Sequence, residues 1–449
     1  MLYIYLMLTI EIVILLLMYV KNKGDVFTPC FISMFMFFIA TLCIIYNEEL
    51  WSVSYAEETF YIVTIGFICI FFSDILASKL SRYRYVVGDF GKKNKEVLPQ
   101  SVTISNKMSL CITLIMFLGL AEQTLELIRM GSSLGISVAI NLIGAVKESD
   151  LNFSAIGKLF YQFNNIFLTI FIFTFAYNIG RNKNRLQDSI YYIMPIILGF
   201  INLIITGSRS ILYRAVFAFI ITLVISYKNS HYSQKSGKSS KELLKKIAVP
   251  MAGITFGFYA LRAVTKGSTG SASRAFTEYL TYYIGSPLYI FNKYVLNPSG
   301  ITNGSQYFGG LTFSGFYNSL YNFGVLDQPV ENLKFVYVGD LSNNYYVGGN
   351  EYSLFMRPYD DFGIVGMIVF VFLLFFIFSF LYYRFSKIGN DRKSINALLV
   401  YSYFFYIIPM AFYYPFTVNE SKIMNIVYMI TMVIIFKSIT KKKFESSKD

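Results

Sequence analysis

The sequence predicts an all-α polytopic membrane protein with about eleven transmembrane helices and one long outward-facing loop. Three observations predict it. Hydrophobic residues make up 55% of the 449 positions and charged ones only 14%, a balance too apolar for an ordinary soluble core. Apolar runs of about 18 residues or more, long enough to cross a bilayer as helices, recur along the chain. Basic residues fall in every second connection between those runs, as cytoplasmic loops require.

The runs are 2–20, 27–46, 59–78, 104–121, 159–179, 189–206, 210–227, 246–263, 363–383, 394–413 and 423–440. The first has neither a basic leading segment nor a small-residue cleavage site, so it reads as a retained helix and not a signal peptide. The eighth is the weakest, being short and carrying Pro250. The chain accordingly divides into 1–263 with eight spans, a large outer loop 264–362, and 363–449 with three spans and a basic tail.

Lys21 and Lys23, the stretch from Lys79 to Lys95, Arg181 to Arg185, Lys228 to Lys246, Arg384 to Lys393, and Lys441 to Lys443 all fall on one side of this arrangement. Assigning that side to the cytoplasm puts the N-terminus outside and the C-terminus inside. The formal net charge of +13 is concentrated there. It therefore reports orientation in a bilayer, and no nucleic-acid partner is expected. Cys30, Cys43, Cys69 and Cys111 lie in or beside spans without metal-ligand spacing and read as packing residues. The one histidine, His231, lies in an inner loop, which excludes histidine chemistry on the outer side. No outer cluster has metal-ligand spacing, so no metal is expected.

Two outer connections are long, 122–158 and 264–362, and long loops among tight ones are usually functional. The larger begins with the small polar run "KGSTGSAS". Residues 273–297 then read as an amphipathic helix interrupted at Gly285 to Pro287. Arg274 and Glu278, spaced four apart, suit a helix-surface ion pair of about 0.3 kcal/mol. From 298 to 357 tyrosine, phenylalanine, asparagine and glycine dominate. Such a segment fits an interfacial aromatic belt, a sugar-binding surface of ring faces and amides, or a bias of the whole chain toward these residue types.

Two constellations carry chemistry. In "TGSRS" the chain turns on the outer face between the sixth and seventh spans. Gly207 permits a tight turn, Ser208 or Ser210 suits an N-cap, and the start of the following helix offers free N–H groups and a partial positive charge. Arg209 adds a guanidinium, with Arg214 about one and a half turns deeper, and an arginine at the bilayer centre costs about 3 kcal/mol. Together they suit a multiply charged anion such as a lipid diphosphate, or else Arg209 snorkels to phospholipid headgroups. Arg262, Lys266 and Arg274 lie on the same predicted side and could join them.

The second constellation is "EYSLFMRPYDDFGIVG", where the large loop re-enters the membrane. Pro358 is expected to force an extended approach, and Asp360 or Asp361 to cap the ninth span. A cap needs one aspartate, not two, nor the preceding Arg357. An arginine beside paired carboxylates supplies an anion contact and a general base, with Glu351 and Glu278 as further candidate bases.

"TGSR" at a span start, a long outer loop closing on "RPYDDFG", and about a dozen spans together resemble the Wzy-type oligosaccharide repeat-unit polymerases of bacterial surface polysaccharide assembly. Arg274 and Gly285, separated by ten residues, match a further feature of that family. The resemblance implies a metal-independent glycosyltransferase of the bacterial inner membrane, without cofactor. Its substrates would be undecaprenyl-diphosphate-linked glycans, as donor and as acceptor, and a chain-length regulator would be a protein partner. It further implies that Arg209, Arg214 and Arg357, with Arg262 and Arg274, act on the donor diphosphate, and that Asp360 or Asp361 accepts the proton of the attacking hydroxyl. A lipid-linked oligosaccharide flippase is the principal rival, disfavoured by few mid-span charges, chiefly Glu11 and Asp74, and by the long outer loop. An O-antigen ligase is a second, disfavoured by the lack of an outer histidine.

Overall fold

The computed structural model describes residues 1–88, 101–133, 153–181, 186–206, 208–230, 276–331, 333–338, 347–349, 351–387 and 392–443. Its helices in chain order are α1 (Leu2–Lys21), α2 (Pro29–Tyr46), α3 (Glu57–Gly88), α4 (Asn106–Ser133), α5 (Ala155–Gly180), α6 (Leu186–Thr206) and α7 (Arg209–Ser230). They continue with α8 (Phe276–Leu296), α9 (Ser314–Asn322), α10 (Met356–Lys387), α11 (Arg392–Phe404), α12 (Thr417–Glu420) and α13 (Ile423–Ile439). Two small antiparallel pairs join β1 (Ser101–Ile104) to β4 (Thr440–Lys443) and β2 (Val336–Val338) to β3 (Val347–Gly349). Among the described residues seven helices are long and apolar enough to cross a membrane, within α1, α2, α3, α4, α5, α7 and α10. Three shorter apolar helices, Ile190–Thr206, Ile395–Ile407 and Ile423–Ile439, fall on the predicted sixth, tenth and eleventh spans. The predicted eighth span lies outside the described residues.

The chain folds as two compact units. The first comprises Met1–Gly91, Arg274–Arg384 and Ile407–Val427. Here α2 packs on α1, α3 and α8, burying Phe37, which meets Phe67 and Phe355 at ring distances of 5.2 and 5.3 Å. At one end of this bundle Asp74 binds Lys21 at 2.6 Å, Asn22 at 3.1 Å and the Tyr383 hydroxyl at 2.9 Å, while the Tyr382 hydroxyl donates to Asp25. These are helix ends that the charge count assigns to one side. At the other predicted side the Asn292 side chain accepts from the Ala56 N–H at 2.8 Å and donates to the Ser54 carbonyl at 2.7 Å.

That last contact belongs to α8, which departs from expectation. The segment is not interrupted at Gly285 to Pro287: it runs unbroken through Pro287, and Gly285 to Asn292 are buried. Gly285 explains how. A Cβ there would lie 3.0 Å from the Cys43 Cβ and 3.2 Å from Trp51, so a larger residue would push α8 and α2 apart by a few tenths of an ångström. The Trp51 ring stacks on Tyr289 at 6.2 Å.

The second unit comprises Lys92–Ser273, Phe385–Tyr406 and Tyr428–Asp449. Its centre is α5, buried along most of its length from Asn164 and packed on α4, α6 and α7. Gly180 lets it approach α7, since a Cβ would meet Ser226 at 2.7 Å. Serine 154 caps α5 by accepting from the Gly157 N–H at 3.0 Å. Thr169 and Thr174 return their hydroxyls to carbonyls one turn back, the usual resolution for hydroxyls in an apolar helix. Asn178 pairs with both the N–H and the carbonyl of Val102, fastening β1 to α5. The outer connection expected over 122–158 is in part helical, since α4 continues to Ser133 and α5 begins at Ala155.

The predicted tenth span is also not one helix. After Phe404 a single tight turn, Phe405–Ile407, leads into irregular backbone, and Ile408 to Phe412 are buried. The Ala411 carbonyl accepts from the Leu354 N–H at 2.8 Å. Irregular backbone is tolerated in an apolar surrounding only where protein covers it and supplies such partners.

Candidate functional site

The first unit gathers the second constellation. Met356 to Phe362 form a short helical segment that Gly363, at φ 66° and ψ −168°, breaks from the apolar helix beyond. This backbone conformation is open essentially to glycine alone. Two expectations are thereby corrected. Pro358 does not hold the chain extended: it sits in the first helical turn, where its missing N–H costs nothing. Nor do Asp360 and Asp361 cap the ninth span, because they precede the break and point to other partners.

Asp361 accepts from the backbone N–H groups of Leu311 at 3.2 Å and Thr312 at 2.6 Å, and from the Thr312 hydroxyl at 2.6 Å. Arg357 takes the other side of the same segment. Its Nη1 donates to the Leu311 carbonyl at 2.9 Å and to the Ser314 hydroxyl at 3.0 Å, and the guanidinium lies 5.5 Å from the Tyr414 ring centroid. Arg357 is 7% exposed, and its Nε is buried without a hydrogen-bond partner. No carboxylate among the described residues forms an ion pair with it. A buried cation without a counter-ion is costly.

Asp360, half-buried, accepts from the Tyr294 hydroxyl of α8 at 2.6 Å. Burial, and then the hydrogen bond to Asp360, push the Tyr294 phenol far above its ordinary range, so it remains a donor. Asp360 thus has one oriented oxygen, whereas Asp361 is occupied by three donors. Glu351 and Glu278 are partly exposed.

The second unit holds Arg209 and Arg214. The helix α7 begins at Arg209 directly after Ser208, whose carbonyl accepts from the Leu212 N–H. Ser208 therefore occupies the cap position, with its hydroxyl bonded to Tyr161 at 2.6 Å and to Thr206 at 3.3 Å. Arg214 donates to the Tyr403 hydroxyl at 2.7 Å and the Tyr406 hydroxyl at 3.3 Å, and stands 4.2 and 5.1 Å from the two ring centroids. The side chain of Arg209, and Gly207, Arg262, Lys266 and Arg274 altogether, lie outside the described residues.

Sequence reasoning missed Tyr294, Leu311, Thr312, Ser314, Tyr403, Tyr406 and Tyr414 as partners of these groups. The only signal for the four tyrosines was the abundance of that residue type, and Leu311, Thr312 and Ser314 gave none. Among the described residues no group of three His, Cys, Asp or Glu could hold a metal ion. Comparison with known proteins finds no matching family model, no matching curated protein and no matching solved structure.

Proposed function

We propose that the protein is an integral-membrane glycosyltransferase that polymerises undecaprenyl-diphosphate-linked oligosaccharide repeat units on the outer face of a bacterial inner membrane. The observation that carries this reading is the Arg357 guanidinium, buried without a carboxylate partner three residues before the Asp360–Asp361 pair. It accompanies the "TGSR" and "RPYDDFG" segments and the seven apolar helices.

In this reading, as the resemblance implies, Arg209 and Arg214 of the second unit bind diphosphate, and Arg357 is an anion contact within the first unit. The charge that grows on the diphosphate as the glycosidic bond breaks is what the guanidinium groups stabilise. Asp360 accepts the proton of the attacking sugar hydroxyl, while Asp361 fixes the segment 311–312. A chain-length regulator is the expected protein partner.

The test is the surface glycan of a strain lacking this chain. Loss of a polymerase leaves single repeat units on the final acceptor. Loss of a flippase leaves none, and loss of a ligase leaves polymer on the lipid carrier, so either of those outcomes overturns the reading.

A further inference from the structure

We infer that the aromatic segment 308–323 rests in the lipid headgroup layer, so that the backbone gripping Arg357 and Asp361 is held by the bilayer surface. This stands on the fold of the first unit and is independent of the glycosyltransferase reading.

Phe308 is 83% exposed and Phe323 58%, with Phe313, Phe316 and Val325 exposed beside them. Contiguous apolar exposure of this kind marks an interaction surface. From Tyr294 to Leu326 the chain carries no charged residue. A water-facing loop of that length would ordinarily carry several.

What covers the patch follows from its neighbours. The Phe308 ring packs on Phe362 at 5.0 Å, and the Phe313 ring meets Phe370 edge-on at 6.3 Å. Phe362 and Phe370 border the exposed stripe of Val365, Val369, Leu373 and Ile377 on α10. That stripe belongs to a helix long and apolar enough to cross a membrane, so its exposed face is the lipid face. The aromatic patch continues that face past the break at Gly363.

The depth is set by polar groups beside the rings. Tyr307 and Tyr317 stack at 5.1 Å, and their hydroxyls donate to the carbonyls of Gln328 and Phe308. Asn318 accepts from the Val330 N–H at 2.8 Å. Rings interleaved with hydroxyls and amides suit the boundary between headgroups and acyl chains, not the hydrocarbon centre. The exposed Asp327 marks where the chain returns to water.

The experiment places the full chain in phosphatidylcholine vesicles brominated at shallow acyl positions. Three variants, F308W, F313W and D327W, each add one tryptophan to Trp51, which is common to all. The expected result is that the added emission at 308 and 313 loses roughly half its intensity to the bromolipid and resists acrylamide, whereas that at 327 does the reverse. Two sites guard against a fold defect at one. If both behave like position 327, the patch faces water, as a glycan platform would, and the inference is overturned.

Discussion

Asp361 holds Thr312 by two groups at once, its backbone N–H and its hydroxyl, each at 2.6 Å. With Arg357 on the Leu311 carbonyl, one short helical segment grips both hydrogen-bonding faces of the 311–312 backbone. An arginine and a carboxylate that could have paired with each other instead share a third element. That arrangement separates the roles of two adjacent aspartates.

Asp361→Asn should destabilise the protein, because an amide keeps one acceptor where three donors converge. A buried donor left unsatisfied costs about 1–3 kcal/mol. Asp360→Asn keeps an oxygen for the Tyr294 hydroxyl, so it should melt like wild type in detergent and make no polymer, since an amide takes no proton at neutral pH. Normal polymer from D360N would remove Asp360 as the base and turn attention to Glu351 and Glu278.

Arg209→Ala should abolish polymer, with lysine restoring little, because a guanidinium holds two phosphate oxygens where an ammonium acts as a point charge. The protein should insert at normal levels, since removing an arginine from a membrane segment lowers the insertion cost. Full-length polymer from both variants at wild-type abundance would mean that Arg209 touches no diphosphate.

Arg357→Lys keeps the charge but cannot reach the Leu311 carbonyl and the Ser314 hydroxyl with the same planar fork while lying over Tyr414. Polymer length is expected to collapse while the protein remains folded by tryptophan fluorescence, Trp51 being buried in the same unit. Wild-type length would show that the site asks only for positive charge.

Gly363→Ala forces a side chain into a backbone conformation costing about 1–3 kcal/mol. The melting temperature should fall, and activity should fall further than stability alone accounts for, because Arg357, Asp360 and Asp361 all precede the break. A variant with unchanged melting and polymer would show that the break is dispensable.

For the charge-derived orientation, a variant with its four native cysteines replaced should be labelled from outside at Asp327→Cys but not at Lys235→Cys. Asp327 is exposed, whereas Val330 nearby is buried and would label from neither side. The reverse pattern would place the Arg357 constellation in the cytoplasm.

What could be read from the sequence was what local pattern determines. The runs 2–20 and 27–46 became Leu2–Lys21 and Pro29–Tyr46, since an apolar stretch in lipid has no option but to close its own backbone bonds. Arg357, Asp360 and Asp361 stood out because charge beside an apolar run is conspicuous. Their partners did not. Thr312 lies 49 residues from Asp361 and Tyr294 lies 66 from Asp360, and no local periodicity encodes such a meeting. The tenth span misled for the opposite reason. Its composition is apolar throughout, but Ile408 to Phe412 are covered by protein and need no helix, and Leu354 supplies a backbone partner from a distant part of the chain.

The burial of α8 has a consequence for how such a protein can be altered by recombination. The residues between the eighth and ninth predicted spans look like a cassette, replaceable as a block to change what the protein acts upon. They are not one, because Gly285 presses on Cys43, Tyr289 on Trp51, and Asn292 supplies the hydrogen bonds of Ser54, Ala56 and Thr59. A chimera that exchanges only 276–362 would seat a foreign helix in a groove shaped for Gly285. A transferable module must include 29–59 as well, and also the Ala411 and Tyr414 stretch that meets Leu354 and Arg357, so these distant stretches of chain must be inherited together.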